Sequence, residues 1–130
     1  LALTFPDRFA AAASFSGALD MVRLAPARVA EGQLEFEHVF GDVRHMAGGP
    51  NDLLHLAEQA RRSAAALPRL YQWCGTEDFL YADNLTFRDQ ARRLGLPLLY
   101  EEGPGGHTWS CWDRQIERIL PWLLNTTASG

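Results

Sequence analysis

The chain has 130 residues, a length typical of one domain, and 47% of them are hydrophobic, which is ordinary for a globular core. Its formal net charge of −4 argues against nucleic acid or an anionic membrane as the main partner. The sequence contains no apolar run of the roughly 20 residues that would cross a bilayer.

The first half of the chain predicts a strand and then an irregular region. Residues 1 to 4 are typical of a last helical turn, which a proline stops. The apolar run from Phe9 to Phe15, followed by Ser16-Gly17, predicts a buried strand of a parallel sheet. Prolines and glycines interrupt residues 18 to 50, where we expect an irregular, lid-like excursion with one or two helical turns around Leu34 to Phe40. A plain loop is equally consistent with that region.

The second half of the chain alternates helices and strands. Capping side chains mark the helix starts, Asn51 or Asp52 for one helix and Asp83 or Asn84 for the next, which Gly95 ends. The predicted segments are a helix from 52 to about 66, a strand from 69 to 74, a helix from 84 to 94, a strand from 96 to 101, and an amphipathic helix from 108 that bends or ends near Pro121.

This alternation predicts an α/β fold, in which helices pack on the faces of a parallel sheet. Right-handed crossovers place the carboxyl ends of all parallel strands at one edge, and ligand sites in such sheets lie beyond that edge. Asp78 comes just after one predicted strand and His107 just after the next. We therefore expect the two side chains to meet at the same edge.

A carboxylate that holds a histidine is the acid–base pair of nucleophilic hydrolases. An imidazole titrates near neutral pH, so His107 can take a proton from a hydroxyl and return it, while Asp78 orients the ring. The alternatives are a loop histidine that only caps the next helix and a turn aspartate that bonds its own backbone. Glu77 is a rival acid, whereas Asp83 is better explained as a helix cap.

The nucleophile is not evident in the sequence. No Gly-x-Ser-x-Gly turn occurs in the 130 residues. Ser16 ends a strand and precedes Asp78 and His107 in the expected order, but it lacks the glycines of that turn, so we expect its hydroxyl to satisfy local backbone groups. Cys74 lies within a strand and is better explained as a buried apolar residue.

The remaining aromatic, histidine and cysteine residues are weaker candidates for a site. Trp109, two residues after His107, could line an acyl pocket, although packing of the helix against the core is the better explanation. His38, His45 and His55 lack the spacing of a zinc pair, so we predict no metal site. The two cysteines, Cys74 and Cys111, are too few for a disulfide framework, which favours a reducing, cytoplasmic location.

Five stretches of the chain resemble the putative esterase family of α/β-hydrolases, whose members include tributyrin and acetyl esterases and S-formylglutathione hydrolase. The stretches span nearly the whole chain, and the two that hold the acid and the histidine are the most specific when they occur together. They are Phe5–Phe9 (FPDRF), Ser14–Asp20 (SFSGALD), Cys74–Tyr81 (CGTEDFLY), Gly103–Trp109 (GPGGHTW) and Trp112-Asp113.

The resemblance implies the C-terminal part of an α/β-hydrolase domain, with Asp78 as the acid and His107 as the base of a catalytic triad. It implies hydrolysis of short-acyl carboxylic esters without a cofactor, by a serine that lies about ten residues before Leu1 in the family. We therefore expect a fragment that is inactive alone and whose unpaired sheet edge favours self-association. The alternatives are an acyltransferase of the same fold and a non-catalytic binding or structural module.

Overall fold

A computed structural model of the protein describes residues 1 to 63 and 66 to 124. Its three strands form one parallel sheet, and they lie side by side in chain order. The strands are β1 (Ala11–Phe15), β2 (Arg69–Gly75) and β3 (Leu98–Gly103). The parallel sheet predicted from the sequence is confirmed, with β1 beginning two residues later than the apolar run and β3 shifted two residues toward the C-terminus.

Five α-helices and two short 3₁₀ turns surround the sheet in the described residues. The 3₁₀ turns are Pro6–Arg8 and Val43–His45. The helices are α1 (Met21–Ala30), α2 (Glu35–Phe40), α3 (Leu53–Arg62), α4 (Tyr81–Leu94) and α5 (Trp109–Leu123). Among the described residues, none of these helices combines the length and the apolar character needed to cross a membrane.

The helix α1 was not predicted from the sequence. Irregular backbone was expected there because Pro26 cannot donate a backbone hydrogen bond and normally interrupts a helix. The helix nevertheless forms, since the Asp20 carboxylate caps its first turn by accepting from the Arg23 N–H at 3.2 Å. Its inner face also buries Ala25 against Val43 and Met46. Tertiary packing and the cap together outweigh the missing bond. The helical turns expected around α2 are confirmed.

The start of α4 also differs from the sequence-based expectation. Asp83 and Asn84 do not cap the helix, because it begins two residues before Asp83, and both side chains are buried within it. At the other end, Gly95 has a left-handed φ of 65°, which confirms it as the residue that ends α4. In α3 the cap is Asp52, whose carboxylate accepts from the His55 N–H at 3.0 Å.

The sheet has an apolar layer on each face. On one face, α3 and α4 bury a cluster that includes Ala57, Leu70 and Phe87. On the other face, Tyr71 and Trp73 pack against Cys111 and Ile119 of α5. That helix runs to Leu123 and so continues two residues past the proline at which a bend or an end was expected. The two layers hold the sheet between helices and leave its carboxyl edge open.

Candidate active site

Two turns at the carboxyl edge of the sheet, one after β2 and one after β3, form the candidate site. They are joined by main-chain hydrogen bonds, in which the Thr76 N–H donates to the Gly103 carbonyl at 2.9 Å and the Glu77 N–H donates to the Gly105 carbonyl at 3.1 Å. We call these turns, residues 75 to 80 and 103 to 108, the acid–histidine rim. Because backbone joins backbone, the relative position of the turns does not depend on flexible side chains.

Glycine is required where the two turns cross. A Cβ on Gly75 would lie 2.0 Å from the Gly105 carbonyl oxygen, well inside van der Waals contact. Gly105 itself has a φ of 128°, a conformation that side chains rarely adopt, and a Cβ there would meet Cys111 Sγ at 2.6 Å. The glycines therefore allow the close approach that brings Asp78 and His107 together.

Asp78 and His107 form a hydrogen-bonded pair. The carboxylate of Asp78 lies 3.0 Å (Oδ2) and 3.2 Å (Oδ1) from His107 Nδ1. The Asp78 side chain is fully buried, and its Oδ1 also accepts from the Leu80 N–H at 2.9 Å. A carboxylate partner places the ring proton on Nδ1 and leaves the Nε2 lone pair free to accept a proton. This is the geometry that a general base requires.

Aromatic rings hold the imidazole on two sides. The Phe79 and Trp112 rings each lie with their centroids 4.7 Å from that of His107, and Trp112 meets it edge-on. The histidine side chain remains about one-third exposed. The ring is therefore fixed in orientation by Asp78 and by its aromatic neighbours, yet it stays accessible to a ligand.

The two rival carboxylates occupy other positions. Glu77 is exposed, although it precedes Asp78 directly. Asp83 is buried inside α4 and forms a short ion pair with Arg23 of α1. Among these three residues, only Asp78 contacts the imidazole in the described part of the chain.

Ser16 departs from its expected role. It follows β1 directly, adopts a positive φ of 50°, and is only 2% exposed. Its hydroxyl makes no hydrogen bond to a backbone group among the described residues, so it does not satisfy local backbone groups as the sequence suggested. Its side-chain hydrogen-bond partner is the buried Cys74 thiol. Cys74 is buried, as expected, and burial raises the pKa of its thiol to about 11, which disfavours the reactive thiolate.

His107 and Ser16 line one cavity of about 550 Å³. The sheet edge and α5 contribute Phe15, Ser16, Phe79, Leu80, His107 and Trp112, and the segment after β1 contributes Ala18, Leu24, Arg28, Gln33 and Phe36. Trp109, the predicted pocket residue, is 76% exposed and lies outside the lining. Its ring meets that of Trp112 edge-on, and Trp112, one turn further along α5, lines the cavity instead. Arg28, Gln33 and Phe36 were not identifiable as lining residues from the sequence, apart from the expectation of a lid-like excursion.

The Trp112 indole N–H, a buried polar group of the lining, lacks a hydrogen-bond partner in the described residues. Buried polar groups are normally paired, so this N–H indicates a place where a polar ligand or water completes the bonding. No group of three or more histidine, cysteine, aspartate or glutamate side chains in the described residues is arranged to hold a metal ion.

The chain is similar to known esterases and serine hydrolases. It is 30% identical over 88 residues to an acetyl esterase from Caldicellulosiruptor saccharolyticus, a match that covers 68% of this chain and 33% of the relative. Two Staphylococcus aureus structures, the S-formylglutathione hydrolase FrmB and the fluorophosphonate-binding serine hydrolase FphF, are each 33% identical, with TM-scores of 0.80 and 0.81. Both matches cover 94% of this chain and 47% of the other.

A ferulic acid esterase shares the fold, with 19% identity and a TM-score of 0.65 over 94% of this chain and 44% of the other. No protein-family model matches the chain. The chain spans one-third of the length of the curated relative and about half the length of the structural ones. It is therefore an esterase-family α/β-hydrolase chain that carries part of that fold.

Proposed function

We propose that this chain supplies the acid and the base of a serine esterase that hydrolyses short-acyl carboxylic esters. The observation that carries the proposal is the buried Asp78 carboxylate bonded to His107 Nδ1, with the imidazole on the wall of a cavity. The pair is held by backbone bonds between two turns rather than by chance contact of surface side chains. The names acetyl esterase, S-formylglutathione hydrolase and serine hydrolase among the relatives support the same chemistry.

In the proposed reaction, His107 Nε2 removes the proton of a serine hydroxyl as the oxygen attacks the ester carbonyl. The imidazolium then protonates the departing alcohol, and Asp78 stabilises the positive ring throughout. Water, activated by the same imidazole, cleaves the acyl-enzyme and restores the serine. No metal or cofactor is needed for these steps. Transfer of the acyl group to another alcohol would use the same residues, but no observation favours it over hydrolysis.

The proposed nucleophile lies outside these 130 residues, which contain no Gly-x-Ser-x-Gly turn. Under this proposal the 130-residue chain alone does not hydrolyse p-nitrophenyl acetate above background. Ser16 is the competing nucleophile, because it lines the cavity and adopts a positive φ. Turnover by the chain alone that disappears in Ser16→Ala would assign the nucleophile to Ser16 instead.

The main test uses the protein produced from its complete coding sequence, with p-nitrophenyl acetate as substrate. We expect His107→Gln to lower kcat at least about 10³-fold, since it removes the base. His45→Gln is the matched control, because His45 Nδ1 also lies 3.0 Å from a carboxylate, that of Asp42, but on the exposed surface. Equal loss in both variants, or full activity in His107→Gln, would reject the assignment.

The location and partners of the protein are further proposals. Cys74 and Cys111 are buried and unpaired, which supports a reducing, cytoplasmic compartment. The ligand we propose is a small ester, in keeping with the size of the cavity. Within the described residues β1 pairs only with β2, and this free edge supports association with another strand-bearing segment or chain.

A further inference from the structure

An arginine lies close to the proposed base. Arg28, in the last turn of α1, lines the same cavity as His107. Its guanidinium carbon lies 5.9 Å from the Phe79 ring centroid, and that ring in turn lies 4.7 Å from the imidazole. One aromatic ring therefore separates the positive charge from the imidazole, so a substrate with only a few bonds between its ester and a charged group could contact both.

Part of the hydrogen-bonding capacity of Arg28 is unused. Its Nη1 donates to the Glu31 carboxylate at 3.0 Å, while no partner for Nε or Nη2 is found in the described residues. The side chain of Arg28 is 30% exposed, whereas that of Glu31 is 58% exposed, so Glu31 approaches the guanidinium from the solvent side. The remaining donors of Arg28 are available to a ligand.

The surroundings of Arg28 favour an anion. Gln33 also lines the cavity and is held beside Arg28, because its N–H donates to the Arg28 carbonyl at 2.9 Å. Its side-chain amide has no hydrogen-bond partner in the part of the chain that the structure describes. No carboxylate is among the described residues that line the cavity, and most of the other lining residues are apolar or aromatic. A guanidinium with few neighbouring carboxylates, partly shielded from water, is a strong site for a carboxylate.

We infer that Arg28, assisted by Gln33, binds a carboxylate group carried by the ester substrate and so makes the enzyme selective for anionic esters. This inference rests on the proposed esterase function. The carboxylate could belong to the acyl group or to the alcohol, since Arg28 and His107 can be bridged from either side of the scissile bond. Arg28 acts on substrate choice and not on the chemical step.

The test compares anionic and neutral esters with the protein produced from its complete coding sequence. The acyl-side pair is mono-p-nitrophenyl adipate and p-nitrophenyl hexanoate; the alcohol-side pair is 4-carboxyphenyl acetate and its methyl ester. We expect Arg28→Gln to lower kcat/KM for the anionic member of one pair about 10-fold or more, and to change the neutral member less than about twofold. The pair that responds tells which side carries the carboxylate.

Two variants separate recognition from a structural effect. Glu31→Gln should raise kcat/KM for the anionic ester a few-fold, because it removes a negative charge that competes for the guanidinium. Arg44→Gln, which changes the net charge equally at an exposed site outside the cavity, should leave the ratio of anionic to neutral rates unchanged. The anionic preference should also fall as salt is raised.

The possible results distinguish a failure of this inference from a failure of the proposed esterase function. If the esters are hydrolysed in a His107-dependent way but the ratio is the same in Arg28→Gln as in the parent for both pairs, Arg28 does not recognise the substrate. Equal losses on anionic and neutral esters would assign Arg28 a structural role and also overturn the inference. If no ester is hydrolysed, or if His107→Gln retains full activity, the esterase proposal is wrong, and the inference about Arg28, which depends on it, is wrong as well.

Discussion

The two walls of the cavity are built in different ways. The acid–histidine rim joins its two turns through main-chain hydrogen bonds and buries the Asp78 carboxylate. The opposite wall, residues 18 to 50, has its own small apolar cluster, which includes Ala25, Val43 and Met46. It is tied to α4 through the Arg23–Asp83 ion pair and a bond from the Asn84 amide to the Gly17 carbonyl.

This difference separates two requirements of an enzyme. The proposed chemistry needs an acid and a base held within a few tenths of an ångström, which backbone-to-backbone bonds provide. The choice of substrate depends on side chains such as Arg28 that can change without disturbing the rim. Substitutions in the rim should therefore reduce catalysis or folding, whereas those in the opposite wall should mainly change selectivity or local stability.

The largest effect is expected from Asp78→Asn in the rim. Without the carboxylate, the imidazole loses its favoured tautomer and the stabilisation of its charged form, so kcat should fall about 10³-fold or more. Glu77→Gln is the matched control, because Glu77 is the adjacent but exposed carboxylate; its effect should stay within about twofold. Steady-state hydrolysis of p-nitrophenyl acetate by the protein produced from its complete coding sequence measures both. A greater loss in Glu77→Gln would name Glu77 as the acid.

Next in size is the effect of a methyl group where the two turns cross. Gly75→Ala should lower the free energy of unfolding by about 3 kcal/mol, since its Cβ would overlap a main-chain oxygen that cannot move freely. Gly103→Ala tests the same change at the register partner of Gly75, where the nearest atom lies 3.9 Å away, and should cost no more than about 1 kcal/mol. Urea unfolding measures the loss of unfolding free energy in both variants. Equal losses would show that the two turns do not approach each other closely at Gly75.

In the opposite wall, Arg23→Gln should lower the free energy of unfolding by about 1–2 kcal/mol, because it leaves the Asp83 carboxylate buried without its cation. The loss is smaller than for a fully buried pair, since the arginine side chain is 60% exposed and that of the aspartate only 3%. The double variant Arg23→Gln/Asp83→Asn should recover part of the stability in urea unfolding. Additive losses in the double variant would mean that the pair does not couple α1 to α4.

An effect of comparable size is expected only at alkaline pH. Burial raises the pKa of the Cys74 thiol to about 11 from an ordinary value near 9, so the folded state holds this proton more tightly than the unfolded state. The resulting stability, up to about 2 kcal/mol, is present below about pH 9 and is lost as pH rises toward 11. Cys74→Ala should flatten the fall in unfolding free energy between pH 8.5 and 10.5. An unchanged slope would assign the fall to other groups, such as Tyr71, whose pKa burial also raises.

Several features of the fold followed from local patterns alone. The strands were predictable because short apolar runs end at turn residues, and the α4 terminus was predictable because Gly95 can adopt a left-handed conformation. The position of Asp78 and His107 at one edge followed from the topology of parallel strands. In each case the physical cause lies within a few residues of the feature, or in a rule that applies to all parallel sheets.

Features that depend on distant partners were not predictable. The α1 helix forms despite Pro26 because it packs against Val43 and Met46, and Asp83 is buried because Arg23 of another helix pairs with it. The burial of the Ser16 hydroxyl beside the Cys74 thiol likewise has no local signature.

From the order of its residues, the chain determines a parallel sheet, the ends of its strands, and which carboxylate and imidazole meet at their common edge. Only the folded structure shows which side chains face that pair: Trp112 instead of Trp109, and Arg28 and Gln33 from the segment predicted only as a lid-like excursion. The reason is that a backbone pattern is set by neighbours along the chain, whereas the lining of a cavity is set by how separate elements pack.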